Sequence, residues 1–289
     1  MITDIRERHV ITLEAIGLYK FLTVKQLIML WIRTNKRILN VILQDLLQRR
    51  RPLIGVLKFW VIPWIWRLDY VYYLTTHWVD LLEENENLLQ TGINYPIWTS
   101  IFFRRDYFHR ISCIDFQIRL RQEIGKVWWI IKVYFNYYDR AKKKVRIWKS
   151  VTRIKTKIDI WEWRHIIPDS VFKIKILWTE KNFMYEHSNW KDIKKIIRQL
   201  WKHAYLLYKY IKSWNVNIVE NSRILCVFEH KTTQEAVMQR LQDDMSLKTM
   251  AKYFLFKTEQ EVMENIIEGW ANGQREIVSL LEAQNDRSW

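Results

Sequence analysis

The first 85 residues constrain the fold most, because their apolar spacing changes in a fixed order. From residue 4 to 20, Ile5, Val10, Leu13, Ile16 and Leu18 give an irregular but helical spacing. Thr23 then opens a short second helix, its hydroxyl suited to cap free N–H groups ahead of Val24, Leu27, Ile28 and Trp31. Thr34 is expected to cap a third helix, with Ile38, Val41, Ile42, Asp45 and Leu46 on a mostly aliphatic inner face. The outer face of that helix carries Lys36, Arg37, Asn40 and Gln44, and Arg49-Arg50-Arg51-Pro52 ends it. Leu53 to Phe59 and Arg67 to Leu74 are β-rich and flank a loop at Ile62-Pro63-Trp64-Ile65. A closing helix begins at Thr75.

Three helices followed by a β-hairpin suit a winged helix-turn-helix, a module that lays one basic helix in the DNA major groove. Arg, Asn and Gln offer the paired donors and acceptors that match guanine and adenine edges. Thr34, Asn35, Arg37, Asn40 and Gln44 are therefore the candidate base readers. Arg33, Lys36, Arg49, Arg50, Arg51 and Arg67 suit phosphates, which fix position without reading sequence. The same helix also reads as a solvated basic face, or as a surface that binds only protein.

The formal charge of +16 is unevenly placed. From Glu235 to Trp289 there are 10 acidic and 6 basic residues, a net of −4, which leaves +20 on residues 1–234. That field points to a polyanion, here double-stranded DNA. No apolar run reaches the ~18 residues of a spanning helix, and Met1 to Arg8 lacks the apolar core of a secretory signal. A cytoplasmic protein is expected, without a membrane partner. Cys113 and Cys226 lie in apolar segments and read as buried free thiols. With 17 Trp against 6 Gly, Trp66, Trp78 and Trp190 fall where a turn favours glycine and are expected to expose apolar area.

Periodicity fades from Glu83 to Tyr95, the expected domain boundary. The second half then reads as helix Tyr107–Glu123, strand Val127–Phe135, a basic and weakly patterned excursion at 138–157, strand Trp163–Ile174, strand Asn182–His187, helix Trp190–Tyr210 and strand Arg223–Glu229. A helix (Thr233–Gln242), a strand (Lys252–Phe256) and a helix (Glu259–Trp270) follow. The order α-β-β-β-α-β is the core order of the restriction-endonuclease-like fold. The expected class is α+β: a winged helix-turn-helix at 1–88, a nuclease-like α/β domain at 97–272 and a polar tail at 273–289.

Pro168-Asp169 and Glu186 fall at the ends of adjacent strands, where two carboxylates can hold one Mg²⁺ for phosphodiester hydrolysis. Asp169, Glu186 and His187 are the candidate catalytic residues, with Asp169 and Glu186 the metal ligands and His187 a base or ligand. Active nucleases of this fold carry a Lys two residues after the second acid; Ser188 stands here, with Lys173 or Lys191 as migrated substitutes. Glu180 is a competing acid in a turn, and Asp115 or Glu123 could add a carboxylate. The missing Lys favours an inactive site over a Mg²⁺-dependent endonuclease. The other histidines, His109, His165, His203 and His230, read as surface or core residues.

These stretches together resemble the replication-relaxation family of bacterial proteins, largely carried on plasmids and integrative elements. The likeness runs from Val10 to about Val262, through Phe21-Leu22-Thr23-Val24-Lys25-Gln26-Leu27, Tyr72-Tyr73-Leu74-Thr75, His109-Arg110-Ile111 leading to Asp115, Ile167-Pro168-Asp169 and Tyr185-Glu186-His187. Trp66, Trp78 and Trp190 depart from it, standing where glycine is expected. The resemblance implies an accessory protein of plasmid mobilisation or replication, in the bacterial cytoplasm. Its implied partners are DNA and a relaxase or other mobilisation proteins; a homodimer is one assembly open to the chain, and the sequence does not choose among oligomeric states.

Overall fold

The computed structural model describes residues 6–59, 68–83, 96, 106–127, 129–146, 149–161, 164–176, 178–189, 191–212 and 221–280. The expected linker (84–95), Trp66, Arg67 and Trp190 lie outside the described residues. The chain is mixed α and β and divides into two compact units, 1–110 and 111–289.

The first unit runs α1 (Glu7–Tyr19), β1 (Leu22–Thr23), α2 (Val24–Met29), α3 (Lys36–Gln48), β2 (Ile54–Leu57), β3 (Val71–Leu74) and α4 (Thr76–Glu83). Its sheet has the order β1-β3-β2, antiparallel throughout. Thr23 starts α2 as expected: its Oγ1 accepts the Gln26 N–H (3.2 Å), and Gln26 Oε1 accepts the Thr23 N–H (2.9 Å). Two otherwise unpaired donors are satisfied reciprocally. Helix α3 starts one residue later than expected. Asn35, not Thr34, caps it, its Oδ1 accepting the N–H groups of Arg37 (2.9 Å) and Ile38 (3.3 Å).

The buried face of α3 is Leu39, Ile42, Leu43 and Leu46. That spacing of three, four and seven is one helical stripe, and each such side chain contributes about 1.5–3 kcal/mol when fully buried. Ile38, Val41 and Asp45, expected inside, lie off that stripe: Ile38 and Val41 are 46% and 61% exposed, and Asp45 is exposed too. Gly55 faces Tyr73 across β2 and β3, and a Cβ there would overlap the far end of the tyrosine ring, so glycine lets that ring lie over the strand where it does. Trp78, expected at an exposed turn, lies instead in α4 and is buried. Its backbone is helical, so the indole fills core volume without the strain of a turn.

Helix α5 (Tyr107–Lys126) leads into the second unit, which continues with β4 (Ile130–Asn136), β5 (Arg140–Arg146) and β6 (Lys149–Ile154). Then come β7 (Ile158–Trp161), β8 (Arg164–Ile166), β9 (Ser170–Ile176), β10 (Thr179–Ser188), α6 (Ile193–Lys212) and β11 (Ser222–Phe228). It ends with α7 (Lys231–Asp243), α8 (Met245–Lys248), β12 (Phe254–Thr258), α9 (Glu259–Glu264), β13 (Trp270–Asn272) and β14 (Ile277–Val278). The main sheet has the order β14-β13-β12-β11-β10-β9-β4. Strands β10, β11 and β12 are parallel and the other neighbours antiparallel. Helical crossovers make the parallel pairs: α6 links β10 to β11, and α7 with α8 links β11 to β12.

Along β11, Ile224, Cys226 and Phe228 pack in one layer with Leu200 and Leu207 of α6, while Leu225 and Val227 pack in the other with Phe116 and Leu120 of α5. The strand is covered on both faces, which explains its unbroken apolar run. Both cysteines are buried thiols outside any disulfide.

Three expectations change here. The excursion at 138–157 contains an antiparallel hairpin, β5 with β6. The helix expected to reach Trp270 stops at Glu264, because Asn265 and Gly269 (φ +79°) turn the chain back and deliver Trp270 to the sheet. The stretch expected to be a tail from residue 273 still forms β14 and buries Leu280.

Candidate nucleic-acid interface and a buried carboxylate cluster

Seven residues line one open depression along α3: Lys36, Arg37, Asn40, Val41, Gln44, Asp45 and Gln48. Lys36, Asn40, Gln44 and Gln48 recur every four residues, as do Arg37, Val41 and Asp45, so both rows lie along one side of the helix. This side is opposite the buried stripe. It offers two cations, three amides that can both donate and accept, and the apolar Val41. Such a set can hydrogen-bond base edges and touch a thymine methyl group.

Asp45 is the one acid of this face, and neighbours hold it. Arg49 Nη2 lies 3.2 Å and His9 Nε2 3.1 Å from its Oδ2. Burial lowers the His9 pKa, and Arg49, Arg8 and Arg6 push the same way against Asp45. His9 Nδ1 accepts the Arg6 N–H (3.2 Å) at the start of α1, and its Nε2 contact with Asp45 ties α1 to the edge of α3. Arg33, Thr34, Lys36, Arg37, Asn40, Gln44, Arg50 and Arg51 are all exposed. Two residues take other roles. The Asn35 carbonyl serves the helix cap, and Arg49 is half-buried against Asp45.

The second group lies at one end of the main sheet, where β10, β11 and β12 finish and β9 begins. Open α/β sheets place their polar sites at this end. Asp169 and Glu186 both come here: the Asp169 carboxylate accepts the His187 N–H (2.7 Å). Glu186 is 5% exposed, and both of its oxygens are taken. Gln199 Nε2 donates to Oε2 (2.6 Å), and His203 Nε2 meets Oε1 at 2.5 Å. Burial and the negative charge of Asp169 raise the Glu186 pKa against the opposing pull of His203 and Gln199.

His187 is the next residue along the strand, so its ring takes the opposite face and meets Glu259 Oε1 at 2.6 Å. That hydrogen bond is the main influence lowering the Glu259 pKa, and Ser112 adds another. The catalytic set expected from sequence is therefore brought to one sheet end but split between two faces. Glu180 is not part of it. It pairs with Lys132 (3.3 Å) six residues before Glu186, about 20 Å away at ~3.4 Å per strand residue. Lys173 sits opposite Asn182, four residues and about 14 Å along the strand from the site at the same rise. Glu123 pairs with Lys126 in the last turn of α5.

Gln199, His203, Glu259 and Ser112 were not found by sequence reasoning. One signal for the first two was present. Gln199 and His203 stand one helical turn apart, and His203 interrupts the apolar stripe of Ile196, Leu200, Ala204 and Leu207. No protein-family model, curated protein or solved structure matches this chain. Among the described residues, no helix is long and apolar enough to cross a membrane.

Proposed function

We propose that this protein binds double-stranded DNA with sequence preference, placing α3 in the major groove. The observation that carries this is the two-sidedness of α3: Leu39, Ile42, Leu43 and Leu46 are buried, while Lys36, Arg37, Asn40 and Gln44 stand exposed on the other side. The order α1-β1-α2-α3-β2-β3 supports a winged helix-turn-helix, with β2 and β3 as the wing. In this account Arg37 reads guanine, Asn40 and Gln44 read adenine, and Arg33, Lys36, Arg50 and Arg51 hold phosphates. The resemblance to the replication-relaxation family supports an accessory role in plasmid mobilisation or replication, positioning a relaxase at an origin.

Among the main-sheet strands and their helices the order is α5-β4-β9-β10-α6-β11, with the hairpins β5-β6 and β7-β8 inserted after β4, and this order supports a nuclease-like fold for the second unit. Glu186, as it stands, does not fit Mg²⁺. That ion keeps several waters in a near-octahedral shell and needs an accessible carboxylate. Glu186 is buried, with Gln199 and His203 on its two oxygens. No hydrolytic step is assigned to it, and we read the cluster as an internal brace at the sheet end.

Selection from a pool of random duplexes tests the DNA account. The full-length protein should enrich a defined motif. Arg37→Ala should relax one guanine position at a cost of roughly 1–3 kcal/mol, and Lys36→Ala should weaken all sequences alike. A pool that stays random after selection contradicts the account.

A further inference from the structure

Helix α2 ends in a paired turn: the Trp31 N–H donates to the Ile28 carbonyl (2.9 Å) and the Ile32 N–H to the Leu27 carbonyl (3.2 Å). This bond pair puts the intervening residue in the left-handed region, where glycine is normally found because it has no Cβ to clash. Trp31 holds the position at φ +60°. A bulky residue there is an outlier, and such outliers collect where strain serves a function. The side chain gains nothing from burial in return, since Trp31 is 77% exposed. The local fold is thus served worse by tryptophan than by glycine on both counts.

The surroundings indicate what the indole meets. No Asp or Glu occurs from Gln26 to Gln44, whereas Arg33, Lys36 and Arg37 do. The run from Arg33 to Ile38 is exposed throughout and leads directly from Trp31 into the first turn of α3. An exposed aromatic beside exposed cations, with no acid between, is complementary to a polyanion that also presents apolar surface. The sugar-phosphate backbone of a duplex is such a surface, with deoxyribose for the ring face and phosphate oxygens for the indole N–H.

We infer that Trp31 is a DNA-contacting residue, packing its indole on the duplex backbone beside the entry of α3 into the major groove. The inference rests on the DNA-binding account above and adds a contact that carries affinity but no base preference. Because the contact is neutral, it adds nothing to counterion release.

The test uses the full-length protein and a dye-labelled random-sequence duplex, followed by fluorescence anisotropy, with thermal unfolding measured in parallel. Trp31→Gly should raise the unfolding midpoint, because glycine relieves the left-handed strain, yet weaken duplex binding about tenfold with an unchanged salt slope. Trp31→Phe should keep binding within about threefold of wild type, as the ring face is retained. Lys36→Ala, by contrast, should lower the salt slope by about 1. If Trp31→Gly binds the duplex as tightly as wild type while Lys36→Ala still weakens it, Trp31 is not a contact, and this inference falls while the DNA account stands. If the wild-type protein binds no duplex, the DNA account itself falls.

Discussion

Glu186 and Glu259 lie at the same sheet end, yet their pKa values move in opposite directions. Glu186 is pushed up by burial and by Asp169, so the folded chain holds that proton to higher pH than the unfolded chain does. Its contribution to stability is present below the usual carboxylate value of 4.5 and declines as pH rises above it. Glu259 is pulled down by the His187 hydrogen bond, so its contribution is present above 4.5 and is lost as pH falls below. Glu186→Gln keeps an acceptor for His203 and removes the titration. Urea denaturation from pH 5 to 7 should therefore show a smaller fall in stability with rising pH than wild type, and parallel profiles would contradict this. His203→Ala leaves a buried Glu186 oxygen without its partner and should cost about 1–3 kcal/mol.

Among the elements, α3 is the one whose start the account fixes most closely. Asn35→Ala removes the acceptor for two N–H groups and should cost about 1 kcal/mol of stability, while Thr34→Ala should change little. The reverse ranking in denaturant midpoints would place the cap back at Thr34. Much of this unit was legible in the sequence: Thr23, the polar row Lys36-Arg37-Asn40-Gln44 and the flanking β-rich runs all follow from spacing and residue type. The inner stripe was misplaced by one residue, because both Ile38 and Leu39 are aliphatic and periodicity alone does not choose between them. Trp78 was misread for a related reason. The helix from Thr75 was expected but its burial of Trp78 was not, because a tryptophan in a glycine-poor chain looks like a turn oddity; the strained tryptophan, Trp31, also sat inside an expected helix.

Pairings between distant residues were not legible in the second unit. His203 meets Glu186 and His187 meets Glu259 across separations that no local pattern encodes. The last helix was drawn too long for the same reason: Lys257 Nζ donates to the Asn265 and Glu268 carbonyls and lies 5.4 Å from the Trp270 ring, which fixes a turn where the sequence looked helical. At the scale of the whole molecule, charge is the property that read most directly, with +20 on residues 1–234 and −4 after them. The central claim is that the exposed cations around α3 engage a duplex. Equilibrium binding of the full-length protein to a duplex bearing its selected motif, measured across rising salt, tests it most directly. With Arg33, Lys36, Arg50 and Arg51 on phosphates, log K should fall against log salt with a slope of about −3.6, at roughly −0.9 per phosphate. A slope near zero, or one unchanged when Lys36 and Arg50 are both replaced by Ala, would contradict it.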